Sequence, residues 1–499
     1  MIRLWLIICL CWFGYGTTPA LDLSSVALKL PADGKTLCTL KLQEAIDRIG
    51  RAGGGTLRLE AGEYLTGTIV MLSGVELYLA EGATLKGSTD PRHYIKTDAS
   101  GVGKTPDIDN GSALIYARQA EKIALSGKGR IDGQGLQLAL AIDSLHHTGE
   151  MPDPNYNYRR LRPNNRPKLL FFLQCKDVTI EGLKLQSSAE WGLVFNKCSQ
   201  LMIQDISLCN RAYWNNDGID LTGCQHVQVS RCRIDAADDG ICLKSHHPDE
   251  LNADIEIADC DIRSSASAVK FGTASYGDFR RIHIHDIKVT DTFRSAIAIE
   301  SVDGGGIDSI LVERIEAVNT GNPIFLRLGQ RAGDKPGALR HITIRKLKCE
   351  VPFGRPDEAY DLRGPEVNFF HNPFPSSICG IPGNRIQDVL IEDVEIRYPG
   401  RATKGMAYMP LWRVGDVPER IDDYPEFSMF GELPAWGFYV RHAENITFRR
   451  VRLSLAADDF RPAFVFDDVG NAAIEHVSPD DQSQFYYNGK DLSNTKVIL

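Results

Sequence analysis

Along most of the chain, two alternating apolar residues are followed by two polar ones and then another apolar one. Val178, Ile180 and Leu183 set the pattern, and Leu201, Ile203 and Ile206 repeat it, as do Val227, Val229 and Cys232. It continues through Ile255, Ile282, Ile310, Ile342, Val389 and Ile446, each with a second apolar residue two positions on. The central steps are 23 to 28 residues, stretching to 32, 47 and 57 towards the C-terminus. Period-two alternation predicts short strands, and one such unit per repeat predicts a solenoid whose coils bury their apolar faces only by stacking. The fixed leucine and asparagine frame of leucine-rich repeats is absent. The expected fold is therefore all-β, a right-handed parallel β-helix.

The first coil needs a cover. Leu40, Leu42, Ala45, Ile46 and Ile49 fall at helical spacing and predict an amphipathic capping helix, with early strands at 56–59, 68–71 and 75–79. The oversized steps hold Pro- and aromatic-rich insertions at 351–383 and 399–434, and a third lies at 146–167. Long loops on a regular scaffold commonly border the functional groove. Phe369, Phe370, Trp412 and Trp436 are candidate sugar-stacking residues, with plain loop packing as the alternative.

The 499 residues, 43% apolar and 24% charged, exclude a disordered or fibrous chain. A net charge of −9 argues against a nucleic-acid partner. Arg3 followed by the apolar run Leu4–Phe13 and small residues up to Ala20 reads as a signal peptide over 1–20. That leaves one catalytic domain over 21–499, with cap and first coils at 21–118, main coils at 119–350 and loop-rich coils at 351–499. Export to the exterior or periplasm, no membrane span after cleavage and a monomer are the accompanying expectations. Ten cysteines remain from Cys38 onward, and an even count in an exported chain invites disulfides. Their recurrence at equivalent places in the repeat favours mostly free, buried thiols. No Cys or His spacing suits zinc, and no metal or other cofactor is expected. Asn110-Gly-Ser112 and Asn445-Ile-Thr447 match the N-glycosylation signal.

The densest chemical signal is Asn215-Asn216-Asp217-Gly218-Ile219-Asp220, followed by Asp238-Asp239-Gly240-Ile241. Aligning Ile219 with Ile241 sets Asp217 opposite Asp239, one strand spacing of about 4.8 Å away. Three crowded carboxylates raise at least one pKa, leaving an acid beside a base, which is the equipment of a glycosidase. Turn formation is the plain alternative, and calcium binding a further one.

With these residues the chain resembles glycoside hydrolase family 28, the polygalacturonases and their relatives. Those enzymes carry Asn-Thr-Asp and, one coil later, Asp-Asp; here Asn216 replaces the Thr. The resemblance runs from about Leu40 to Val477, including Gly53-Gly54-Gly55-Thr56 and Arg166-Pro167-Lys168. It implies an inverting mechanism in which Asp238 protonates the glycosidic oxygen while Asp217 and Asp239 activate water.

The departures bear on substrate. The family continues with Gly-His-Gly and Arg-Ile-Lys, whereas register places Ser267 at the His position, and Ala298 and Glu300 at those of the two cations. A Glu in that place repels a uronate carboxylate. By strand parity Lys270 points outward with Cys242 and Ala298, and Lys244, Glu300 and Arg327 form the next outward column. Lys244, Lys270, Glu300, Arg327, Asn215 and His246 are thus the candidate substrate-binding residues, although Glu300 with Arg327 could equally be a surface ion pair. The expected function is hydrolysis of a pectin-type cell-wall polysaccharide, a rhamnogalacturonan or other branched region more than smooth galacturonan. The alternatives are a calcium-dependent polysaccharide lyase with Lys244 or Lys270 as base, and a non-catalytic glycan-binding β-helix.

Overall fold

The computed structural model describes residues 20–97, 111–357, 373–488 and 496–498. The expected signal peptide (all but its last residue), Phe369, Phe370 and Asn110 lie outside these residues. Each named strand pairs in parallel with its counterpart one coil before or after. Each full coil contributes three strand segments, so three sheets run the length of the solenoid. In the second sheet Val178 stacks on Leu201, then Val227, Ile255, Ile282, Ile310, Ile342, Val389 and Ile446 in unbroken register. Those are the repeat positions of the sequence pattern, and their side chains form one core reaching from Leu30 to Val477.

The coils turn corners at single left-handed residues. Asp177, Gln200, His226, Asp254, Arg281, Ser309 and His341 each take φ between 53° and 62°, one position before the first apolar residue of the second sheet. Non-glycine residues take this conformation at a cost, so its repetition reflects stacking of identical corners more than local preference.

Helix α1 (Thr39–Arg51) caps the N-terminal end with Leu42, Ala45, Ile46 and Ile49 buried. Leu40 does not join that face; it is 80% exposed. A second helix, α2 (Gly135–His147), is absent from the sequence reading because its run of Leu136, Leu138, Leu140 and Ile142 mimics strand alternation. The ten cysteines are free, and nine of them are buried. Cys175, Cys198 and Cys224 stack, with the Cys175 N–H donating to Cys198 Sγ at 3.3 Å. Trp436 is buried in the core and Trp412 is 82% exposed. No helix among the described residues is long and apolar enough to cross a membrane.

Candidate active site

The first sheet carries the chemistry on its outward face. Ile219 pairs with Ile241, Ile241 with Val269 and Val269 with Ile297, so Asp217, Asp239 and Ser267 succeed one another at the strand entrances. Gly218 and Gly240 permit this stacking, since a Cβ at Gly218 would lie 2.3 Å from the Gly240 carbonyl oxygen and one at Gly240 2.6 Å from that of Ala268. The carboxylates border a cleft of about 440 Å³.

Each buried carboxylate has its own cation. Lys244 Nζ lies 2.9 Å from Asp217 Oδ2 and also donates to Asp220, while Lys270 Nζ lies 3.1 Å from Asp239 Oδ2. The Ser267 N–H donates to Asp239 Oδ1 at 3.1 Å. Asp238 is half-buried; its Oδ1 accepts from the Asp239 N–H at 3.1 Å, and its second oxygen has no hydrogen-bond partner among the described residues. Burial, reinforced by the Asp239 charge, pushes the Asp238 carboxyl up. At Asp239 burial acts the same way, but Lys270, Arg294 and Lys244 outweigh it and hold the group below the usual carboxylate range. Neighbouring carboxyls are thereby split into an acid and a base. Burial raises Asp217 as well, against the pull of Lys244, whose ammonium it shares with Asp220. Lys244 and Lys270 sit where a divalent cation on these carboxylates would have to sit, so the donor set does not suit calcium.

Two of the expected substrate-binding residues stand elsewhere. Glu300 is 2% exposed beneath Lys270, 4.0 Å from its Nζ, and burial pushes its carboxyl up to about 8. It is therefore a neutral prop under acidic conditions and repels nothing in the cleft. Arg327 is 1% exposed and donates to the carbonyls of Gly380, Glu419 and Arg420 at 2.8 to 3.0 Å. It anchors a loop, and burial lowers its guanidinium to about 10. Glu300 and Arg327 are register partners, yet no ion pair forms between them because each side chain turns to a different neighbour.

Asn215, Lys244, His246 and Lys270 do line the cleft. Asn215 is left-handed (φ 55°) and accepts from Arg166 Nη2 at 3.1 Å. His246 is buried, pushed down to about 3 by burial with Lys244 and Arg331 adding to it, whereas His247 is solvated beside Asp249. Asn216 stays out of the chemistry, donating from Nδ2 to the carbonyls of Ser188 and Glu190 at 3.0 and 2.7 Å.

Sequence reasoning missed Trp191, Arg160, Arg162, Arg294, Arg331 and Tyr424, all at the cleft. Trp191 could have been found by carrying the register one coil back, since Leu193 pairs with Ile219 and sets Trp191 level with Asp217. Its ring centroid lies 3.8 Å from Lys244 Nζ. Arg294 stands three positions before Ile297 in the same strand, Asp278–Ser301, whereas a cation was sought after Ile297. Tyr424 comes from the 399–434 insertion, which no local pattern ties to the coils.

The family model described as glycosyl hydrolases family 28 matches residues 77–326, half of the chain and all of the coils carrying the carboxylates. The chain belongs to this family. A probable polygalacturonase of Vitis vinifera is 26% identical over 375 residues, covering 73% of this chain and 67% of its own. For a polygalacturonase of Chamaecyparis obtusa the figures are 26%, 52% and 49%, so the chain spans about half of that relative. A solved exopolygalacturonase from Thermotoga maritima shares the fold at a TM-score of 0.63 and 19% identity, over 88% of this chain and 93% of that one. The family places this glycoside hydrolase on the parallel β-helix expected from the repeat.

Proposed function

We propose that this family 28 member is an exported, monomeric, inverting hydrolase of uronate-containing pectic polysaccharide, acting on rhamnogalacturonan-type or other branched regions. The observation that carries the reading is the pairing of Asp238, open to the cleft and raised, with Asp239, clamped by Lys270 and the Ser267 N–H and lowered. Asp238 donates its proton to the glycosidic oxygen as the bond to the anomeric carbon breaks. Asp239 takes a proton from the water that attacks the opposite face, so the product anomer is inverted, while Asp217, raised by burial and held by Lys244, helps to orient that water. The acidic nature of the substrate is supported by the wall of the cleft. Arg160, Arg162, Lys244, Lys270, Arg294 and Arg331 line it without the family's Arg-Ile-Lys, the last four of them each paired with a carboxylate of the protein.

The lyase alternative needs a lysine able to take a proton. Burial pulls Lys244 and Lys270 down, but Asp217 and Asp220, and Asp239, outweigh it and hold both ammonium groups well above their ordinary value. Neither is a competent base. Incubation with rhamnogalacturonan and galacturonan fragments, followed by NMR of the newly formed reducing ends, tests the reading. Inverted anomers without an unsaturated product are expected, and retained anomers or an ultraviolet-absorbing product would overturn it.

A further inference from the structure

One of the two outward columns of the first sheet can be followed through twelve coils. It reads Val70, Tyr116, Phe171 and Val194, then Asp220, Cys242 and Lys270, then Ala298, Phe325, Ser377, Tyr439 and Val465. Within this column the charged positions are Asp220 and Lys270, two strand spacings of about 4.8 Å apart with Cys242 between them. A groove for a polymer passing across the sheet would stay polar and open on both sides. Here the column is apolar and buried on both sides, with Tyr116, Phe171 and Val194 at 1 to 6% exposure before the charged positions and Phe325, Tyr439 and Val465 at no more than 1% after them. The C-terminal side is set apart by the insertion that lies on it.

The 399–434 insertion covers Phe325, Tyr439 and Val465. Its Met409, Val414, Val417, Phe427, Phe430 and Leu433 form a second apolar core with the outward residues. Polar ties run along the same segment. Arg441 donates to the Val417 carbonyl at 2.7 Å, Arg327 holds the carbonyls of Glu419 and Arg420, and the Gln330 N–H donates to the Ile421 carbonyl at 2.7 Å. At the cleft edge Lys270 Nζ donates to Tyr424 Oη at 3.2 Å, and Arg294 Nε lies 3.1 Å from Glu426 Oε1. The seal thus ends on the residues that set the charge of Asp239. Tyr424 stays 45% exposed there, leaving its ring to the cleft.

We propose that this insertion closes the C-terminal end of the cleft, so that the enzyme works from chain ends, with Tyr424 as the specificity-determining wall for the terminal sugar. The inference rests on the hydrolase reading and adds the mode of attack. A chain threading past Lys270 would have to displace a packed apolar core from several coils. An end that stops against Tyr424 displaces only water.

Two measurements test it. Wild-type enzyme on a polymeric rhamnogalacturonan or galacturonan should release one short product size from the first time points, with viscosity falling slowly relative to reducing ends. Early products of many sizes would overturn the inference and leave the hydrolase reading intact. The Asp238→Asn variant should bind a length series of the same oligosaccharides with one protein per chain at every length. Capacity that grows with length overturns end recognition. Binding to no member overturns the pectic reading and the inference with it. Tyr424→Ala should weaken binding of the series about tenfold and Tyr424→Phe far less, as expected for loss of one aromatic face. Equal affinity for all three proteins removes Tyr424 from its assigned place.

Discussion

Replacing Lys270 by Met tests the electrostatic core of the site. Lys270 Nζ is 3.1 Å from Asp239 Oδ2, and both groups are almost wholly buried. At an effective dielectric of about 20 a pair at this separation is worth about 5 kcal/mol, which is about four pKa units. Arg294 and Lys244 still act on Asp239 after the substitution, so we expect about half of that. Glu300 adds little, because its carboxyl, pushed up to about 8, is already protonated in the acidic range. In the proposed mechanism the ionised form of Asp239 is the active one. Its acid limb in the pH profile of kcat/KM should therefore move up by about two units in Lys270→Met, and return in Lys270→Arg.

Stability gives a second readout with a definite sign. In the wild type the folded pKa of Asp239 is depressed, so its contribution is present above the ordinary carboxylate range and lost as pH falls through the folded value. In the variant the depression shrinks, because Arg294 and Lys244 remain but Lys270 is gone. At neutral pH the weakened pairing should cost about 3 kcal/mol, the equivalent of about two pKa units, and the deficit should shrink as pH falls. An acid limb that stays in place while kcat drops uniformly would show that Lys270 does not set the ionisation of the base.

Asp238→Asn should lower kcat by about 10² to 10⁴ with the circular dichroism spectrum unchanged; because the Asp238 carboxyl is raised and acts when protonated, the alkaline limb of the wild-type profile should vanish with it. His246, buried and pushed down to about 3, should show no imidazole titration by NMR between about pH 5 and 8, where an ordinary His titrates. A native-state thiol assay should modify Cys209 alone, the exposed one of the ten cysteines, and reducing agent should leave Tm unchanged. Ile46→Ala in the capping helix should destabilise the protein by about 2 to 5 kcal/mol in denaturant unfolding, since the side chain is fully buried against the first coil.

The repeat was legible because each coil must fill the same interior place, which forces the same apolar residues at the same phase. From Val178 to Ile446 every repeat position read from the sequence is a register partner in the second sheet. The Asp217–Asp239 alignment followed from the same phase. What stayed hidden does not follow from phase. Parity says that Arg327 points outward, and it does, but parity carries no information about the loop lying on top of it. The corners are equally silent, because Gln200, Arg281 and Ser309 are not residues whose own preferences announce a left-handed turn.

The departures from the family motif look different once the cations are traced. Ser267, at the lost His position, supplies its backbone N–H to Asp239, and Glu300, at a lost cation position, lies under Lys270. Lys270 stands one coil earlier in the outward column than Ala298, where the family's Arg would be, and Arg294 precedes Ala298 by four residues in the same strand. Positive charge has therefore moved towards the carboxylates and towards the 399–434 insertion that meets both side chains. An enzyme whose base is held by residues tied to the cleft's closed end has coupled the ionisation of Asp239 to that end. Filling the pocket against Tyr424 would dry the Lys270–Asp239 pair further and strengthen it, so substrate-bound enzyme should show its acid limb in kcat at lower pH than free enzyme does in kcat/KM.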